Sequence, residues 1–144
     1  MSAARRKILD NIVGELRSIS NPKLGKISTR PEDFARLART AFPYVQVEIT
    51  DESREDIAME WRLSTLTIAI TVHLDGKSRT EQTQSQLSGI IDAIETVIER
   101  DRTRGGVAQL TELLEIGDMQ ETGYPTVAQT LSIGVQYTYA RGNT

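Results

Sequence analysis

The chain of 144 residues contains no cysteine. Without thiols it can hold neither a disulfide framework nor a thiolate zinc site, an iron–sulfur cluster or a cysteine nucleophile. Its single histidine, His73, lies on the polar side of a predicted strand, with no partners spaced for a metal site or a catalytic triad. We therefore expect His73 at a surface or interface, and we predict no metal and no cofactor.

Long apolar runs and a surplus of basic charge are also missing. No stretch approaches the roughly 18 apolar residues of a membrane span, and no apolar segment follows the basic start Arg5-Arg6-Lys7, so we expect a soluble protein made in the cytoplasm, without signal peptide or membrane contact. The 17 basic and 20 acidic residues give a net charge of −3, which does not favour binding to nucleic-acid phosphates.

What remains is an ordinary globular composition, with 38% hydrophobic and 26% charged residues. The length fits one domain over residues 1–144. We divide it into an N-terminal helical region with its linker, residues 1–43, and a core of sheet and long helix, residues 44–140.

Three segments have helical periodicity. The first has an apolar face of Ile8, Ile12, Leu16 and Ile19, with Ser2 as a cap and a turn-prone linker after it through Ser28. The second begins at Thr29–Asp33 and ends at Pro43. The third begins at the capping box Ser78–Glu81, runs to about Arg102 and stops at Gly105–Gly106. Its apolar stripe is the strongest in the chain and consists of Leu87, Ile90, Ile91, Ile94, Val97 and Ile98.

Alternating apolar residues predict strands around 45–49, 66–74 and 131–139, with a less regular strand at 110–116 and a polar connection over 117–125. We expect the charged stretch Asp51–Asp56 to be a hairpin loop. Met59, Trp61 and Leu63 take odd positions and the apolar residues from Leu66 to Leu74 take even ones, which predicts a bulge or break near Ser64–Thr65. The expected fold is α+β: an antiparallel sheet of about four to five strands, with the long helix and the N-terminal helix on one face. The other face is polar enough to be wet or to meet another subunit, with Thr67, Thr71, His73, Ser132, Gln136 and Thr138.

One candidate site is the acidic cluster Glu48, Asp51, Glu52, Glu55 and Asp56. It lacks the alternating Asp/Asn ligands and the glycine of a calcium loop. The cluster is typical of a solvated hairpin tip, and the alternative is a tip that projects into a ring lumen or a neighbouring subunit.

A second candidate is the group of arginines Arg100, Arg102 and Arg104, next to Gly105–Gly106. No lysine followed by serine or threonine completes a phosphate-binding loop, and a helix C-terminus has the wrong dipole end for phosphate. Helix capping is the favoured interpretation, and contact with an acidic partner is the alternative. Tyr124, in a predicted loop, is a third candidate as an exposed aromatic anchor, whereas Trp61, Tyr137 and Tyr139 read as core.

The order of elements resembles a known family. The stretches that support the resemblance are the strand Thr67–Leu74, the turn Asp101–Val107 after the long helix, and the closing strand Ile133–Tyr139. Together they are similar to the tail terminator proteins of tailed bacteriophages, also called tail completion, minor tail or tail-to-head joining proteins. The similarity covers roughly residues 44–140, and Arg104 stands where this family commonly has leucine.

The resemblance implies a virion structural protein of the tail or neck, without catalytic residues. Such proteins form a homohexameric ring that caps the tail tube, ends its polymerisation and joins the tail to the head. The implied partners are further copies of the chain, the tail tube protein and the head–neck connector or stopper protein, with DNA passing through the lumen unbound. Two alternatives stay open: another neck or head-completion connector, and a non-viral small cytosolic binding module. We expect no enzyme.

Overall fold

The computed structural model describes residues 3–20, 23–30, 41–75, 81–121 and 126–140. Within these ranges the chain forms two helices and six strands. The helices are α1 (Ala3–Arg17) and α2 (Glu81–Arg100). The strands are β1 (Ile27–Ser28), β2 (Tyr44–Ala58), β3 (Trp61–Asp75), β4 (Leu110–Ile116), β5 (Gln120–Glu121) and β6 (Thr126–Ala140).

The strands form one sheet in the order β1-β2-β3-β6-β4, and β5 also pairs with β6. All pairs are antiparallel except β1 with β2. The predicted α+β fold is confirmed. The short strands β1 and β5 were not predicted, because two residues are too few to show an alternating pattern; they lie in the predicted linker and in the predicted polar connection.

Both helices pack on one face of the sheet. The predicted stripe of α2 is buried along its whole length, as are Ile8, Ile12 and Leu16 of α1. Opposite them lie the even-numbered apolar residues of β3, from Leu66 to Val72, each 0% exposed. Burial of each such side chain contributes about 1.5–3 kcal/mol, so this layer supplies most of the favourable free energy of folding.

The prediction of a bulge or break near Ser64–Thr65 is wrong. β3 pairs with β6 without interruption from Trp61↔Ala140 to Asp75↔Thr126, and the register shifts lie in β2, between Ile49 and Asp51 and between Asp56 and Ala58. The parity change has another cause: in a strand without a bulge Trp61 is out of phase with Leu66, and its side chain is 49% exposed. The prediction failed because it assumed that both apolar sets belong to the core.

The hairpin loop predicted at Asp51–Asp56 is also wrong. These residues belong to β2 and pair with β3 from Asp51↔Thr67 to Asp56↔Arg62, and the turn is Met59–Glu60. Charged side chains are common on edge strands because they prevent pairing with other chains. Charge alone therefore did not distinguish an edge strand from a loop.

The surface position predicted for His73 is wrong as well. His73 is 6% exposed, and its ring centroid lies 5.5 Å from that of Tyr44, its cross-strand partner. Burial lowers the pKa of His73 to about 4. The rest of the predicted polar face is half-buried.

The chain turns sharply after α2, which ends at Arg100 rather than Arg102. Arg104, Gly105 and Gly106 all have positive φ, at 51°, 72° and 89°, which explains the glycine pair. The carboxylate of Asp101 accepts hydrogen bonds from the backbone N–H groups of Thr103 and Gly105, at 3.0 and 2.7 Å. The predicted caps Ser2 and Ser78 and most of the predicted second helix lie outside the described residues.

Candidate assembly surface

The outer part of the β2–β3 hairpin extends beyond the helix-covered core. We call residues 51–63 the arm. A strand of 15 residues such as β2 spans about 50 Å, and the buried residues of β2 lie only at its inner end, from Tyr44 to Val47. Every residue from 53 to 61 is exposed. The arm is therefore a strand pair whose tip has little cover from its own chain.

The tip of the arm exposes three large apolar side chains. Ile57, Met59 and Trp61 are 52%, 90% and 49% exposed, and they are three of the five large apolar side chains that are exposed in the described part of the chain. Apolar side chains grouped at a protruding tip are typical of a surface that another molecule covers.

The root of the arm is held by one largely buried carboxylate. Glu52 accepts hydrogen bonds from Arg5 of α1 at 2.6 Å, from Arg54 at 3.1 Å and from the hydroxyl of Tyr137 at 3.0 Å. The hydroxyl of Ser64, 0% exposed, donates a fourth. The Glu52 cluster thus ties β2, β3 and β6 to the first turn of α1, and it fixes the direction in which the arm leaves the core.

Electrostatics show how well the carboxylate is satisfied. Burial by itself would raise the pKa of Glu52, but the hydrogen bonds from Arg5, Ser64, Tyr137 and Arg54 outweigh it and lower the pKa to about 2. The side chain is 13% exposed. Glu52 is therefore ionised at neutral pH and acts as a structural anchor.

Two further contacts stiffen the arm above its root. Arg62 donates to Asp56 across the strand pair at 2.9 Å. The guanidinium carbon of Arg54 lies 5.5 Å from the ring centroid of Tyr139, within the range of a cation–π interaction. Together with the β2–β3 pairing, these contacts hold the arm as a strand pair rather than a loop.

The predicted acidic candidates divide into two groups. Four of them are exposed along β2: Glu48, Asp51, Glu55 and Asp56. Glu52 instead accepts hydrogen bonds from Arg5 and Ser64 of its own chain. Asp51 and Glu55 point away from the helices, and Asp56 points to the helix side, as their registers with Thr67, Leu63 and Arg62 require. The negative charge of the arm is therefore concentrated on the face away from the helices, because on the helix side Asp56 is paired with Arg62 and Glu52 with Arg5.

The predicted arginines do not form one surface. Arg100 is exposed and donates to Glu15 of α1 at 2.8 Å, and Arg102 is exposed beside it. Arg104 is 1% exposed and donates to the carbonyl of Ile98 in the last turn of α2. The capping interpretation is confirmed for Arg104, which has no accessible surface to offer a partner. These arginines lie near the C-terminal end of α1, whereas the arm is tied to its N-terminal end.

Tyr124 lies outside the described residues. Sequence reasoning missed Ile57 and Met59 as surface residues and read Trp61 as core. The available signal was the parity change itself, because residues out of phase with a buried set lie on the opposite face of a continuous strand.

Among the described residues, no group of three or more His, Cys, Asp or Glu side chains could hold a metal ion. No helix in the described part of the chain is long and apolar enough to cross a membrane. The sequence matches neither a known family model nor a curated protein.

Proposed function

We propose that the chain is a virion structural protein of the phage tail or neck. It forms a ring, of six copies in the family it resembles, that caps the tail tube, ends its polymerisation and joins the tail to the head–neck connector. The observation that supports this proposal is the arm: a rigidly anchored, acidic strand pair with an exposed apolar tip.

The arm is suited to contacts between copies. Its tip consists of Ile57, Met59 and Trp61, and water contact with these side chains is unfavourable by about 25 cal/mol per Å² of apolar surface. A contact that buries the tip of one copy on a different surface of the next is heterologous, and it produces a ring when the rotation closes. A closed ring has no free end, so the number of copies in it is fixed.

The sheet edges support the same proposal. β1 pairs only with Val45 and Gln46, and among the described residues no strand pairs with the rest of the outer edge of β2. Glu48, Asp51 and Glu55 lie along that edge and hinder its pairing with unrelated strands. The same negative charges, where they face a lumen, repel DNA and allow it to pass without adhesion.

Deleting the gene from the phage that encodes the chain tests the function. We expect filled heads without tails, together with free tail tubes of excessive and variable length, and restoration of joined particles when the wild-type chain is supplied. Electron microscopy of the lysate measures both. Tails of normal length joined to heads in the deletion strain would rule the function out.

A further inference from the structure

The charges of this chain are divided between its beginning and the rest. Residues 1–30 contain seven basic and two acidic residues, a net charge of +5, and the remaining 114 residues carry −8. The arm contributes to the negative part: its five acidic and two basic residues give it −3. Of these basic residues, Arg5 pairs with Glu52 of the arm of its own chain, whereas Arg17 and Lys23 are exposed near the other end of α1, where an acidic partner can reach them.

That basic segment contains an apolar groove. The groove lies between the end of α1 and β1 and has a volume of about 280 Å³. Its apolar lining is Leu16, Ile19, Leu24 and Ile27, and its cationic rim is Arg17 and Lys23, both exposed. We call it the basic groove. It offers an apolar floor for an apolar tip and positive charge for the acidic strands behind that tip.

The chain has a second groove of similar size with the opposite character. It lies between α2 and the β4–β5 region and is also about 280 Å³. Its lining includes Ile91, Ile116 and Met119, but the charged residue in it is Asp92. An acidic arm would be repelled there. The two grooves have the same volume, so their charge determines which of them an acidic arm can occupy.

An arm cannot reach the basic groove of its own chain. Ile27 of β1 pairs with Val45 at the inner end of β2, whereas Met59 follows the outer end of the same strand. Thirteen strand residues between these ends correspond to about 43 Å. The tip and the groove lie at opposite ends of the molecule, so they can meet only between copies, head to tail.

We infer that the arm of one copy docks in the basic groove of the next, with the Met59 and Trp61 side chains against the apolar floor and the acids Glu55 and Glu60 near Arg17 and Lys23. The partner of this surface is a second copy of this chain. The contact supplies the repeating step of the ring and therefore rests on the proposed function for closure, although the head-to-tail contact is independent of what the ring caps.

Because the chain has no cysteine, single thiols can be placed at will. The test uses the full chain with Met59→Cys and Ser20→Cys, both at exposed positions, treated with a short bismaleimide. We expect a ladder of covalent oligomers. The matched control is Met59→Cys with Ser88→Cys, which places the second thiol in the acidic groove. We expect a yield about tenfold lower in the control, because only a specific contact raises the local thiol concentration.

Charge reversal is the second part of the test. Glu55→Lys with Glu60→Lys, or Arg17→Glu with Lys23→Glu, should each lower the cross-linking yield about tenfold, since like charges then face each other across the contact. All four reversals in one chain should restore it. Circular dichroism checks that each variant is folded.

Three results would overturn the inference: equal ladders from the Ser20 and Ser88 pairs, a dimer from Met59→Cys alone that accounts for all cross-linking, or no recovery in the fourfold variant. Failure of the proposed function looks different. An open ladder without a closed species would support the contact and contradict the ring. Overlong tails in the deletion strain, without this cross-link in the purified chain, would support the function and contradict the contact.

Discussion

At the scale of single residues, Glu52 is the side chain on which the position of the arm depends. It connects Arg5 of α1 with Ser64 and Tyr137 on two neighbouring strands. A carboxylate in a strand usually indicates a surface position, and the sequence analysis grouped Glu52 with its exposed neighbours. Its four partners come from segments up to 85 residues away, so no local pattern could identify it.

We predict that Glu52→Gln lowers the free energy of unfolding at pH 7 by about 1–3 kcal/mol, because hydrogen bonds to a charged acceptor are lost. The pKa of Glu52 is about 2 in the folded chain, against 4.5 ordinarily. Because the folded pKa is lowered, ionised Glu52 stabilises the fold above pH 4.5, and this stabilisation is lost as the pH falls toward 2. The difference in the free energy of unfolding between variant and wild type should therefore shrink over that range. Urea unfolding at several pH values measures it.

The matched control is Glu55→Gln, an exposed carboxylate of the same strand, which should change stability by less than about 0.5 kcal/mol. A deficit of Glu52→Gln that is the same at pH 7 and pH 3 would contradict the role of its ionised form.

Arg104 is the second residue whose position changes an expectation. Reversing all three arginines to glutamate would not test assembly alone, because Arg104 is buried and caps the carbonyl of Ile98, so the fold itself would be affected. Burial lowers its pKa, with the negative charges of Asp101 and Glu15 opposing the effect.

We predict that Arg104→Glu destabilises the fold by about 3 kcal/mol or more, because a carboxylate would be buried against a carbonyl oxygen. Arg102→Glu, at an exposed position two residues away, should cost less than about 0.5 kcal/mol. Thermal unfolding followed by circular dichroism compares the two, and equal melting temperatures would show that Arg104 is not an internal cap.

At the scale of elements, the buried parts were predictable and the arm was not. The stripe of α2 and the alternation of β6 follow from burial on one face, which imposes a period on the sequence. The outer half of β2 has no buried face, so nothing imposes a period on it, and its charges resembled a loop. The acidic residues of the arm were candidates from the sequence alone. Its apolar tip was missed, because the sequence does not distinguish an exposed tryptophan from a core residue.

This division predicts how substitutions in the two regions behave. Ile94→Ala, in the buried stripe of α2, should lower the free energy of unfolding by about 2–5 kcal/mol. Met59→Ser, at the turn of the arm, should change it by less than about 0.5 kcal/mol. Urea titration of both variants measures the difference, and a large loss in Met59→Ser would mean that the tip packs against its own chain.

At the scale of the whole molecule, the chain combines a conventional core with two surfaces at opposite ends. The helix-covered half of the sheet gives it stability. Neither the acidic arm nor the basic groove complements itself, so copies that join through these two surfaces join head to tail. Attraction between them should weaken with added salt, which screens exposed charges within about 10 Å at 0.1 M.

The central claim is that identical copies cover the arm tip, and sedimentation velocity of the purified chain tests it most directly. We predict that the wild type forms one closed oligomer of defined size as its concentration rises from micromolar to millimolar, and that Met59→Ser with Trp61→Ser, folded to the same extent, stays monomeric. Wild type and variant sedimenting alike over that whole range would contradict the claim.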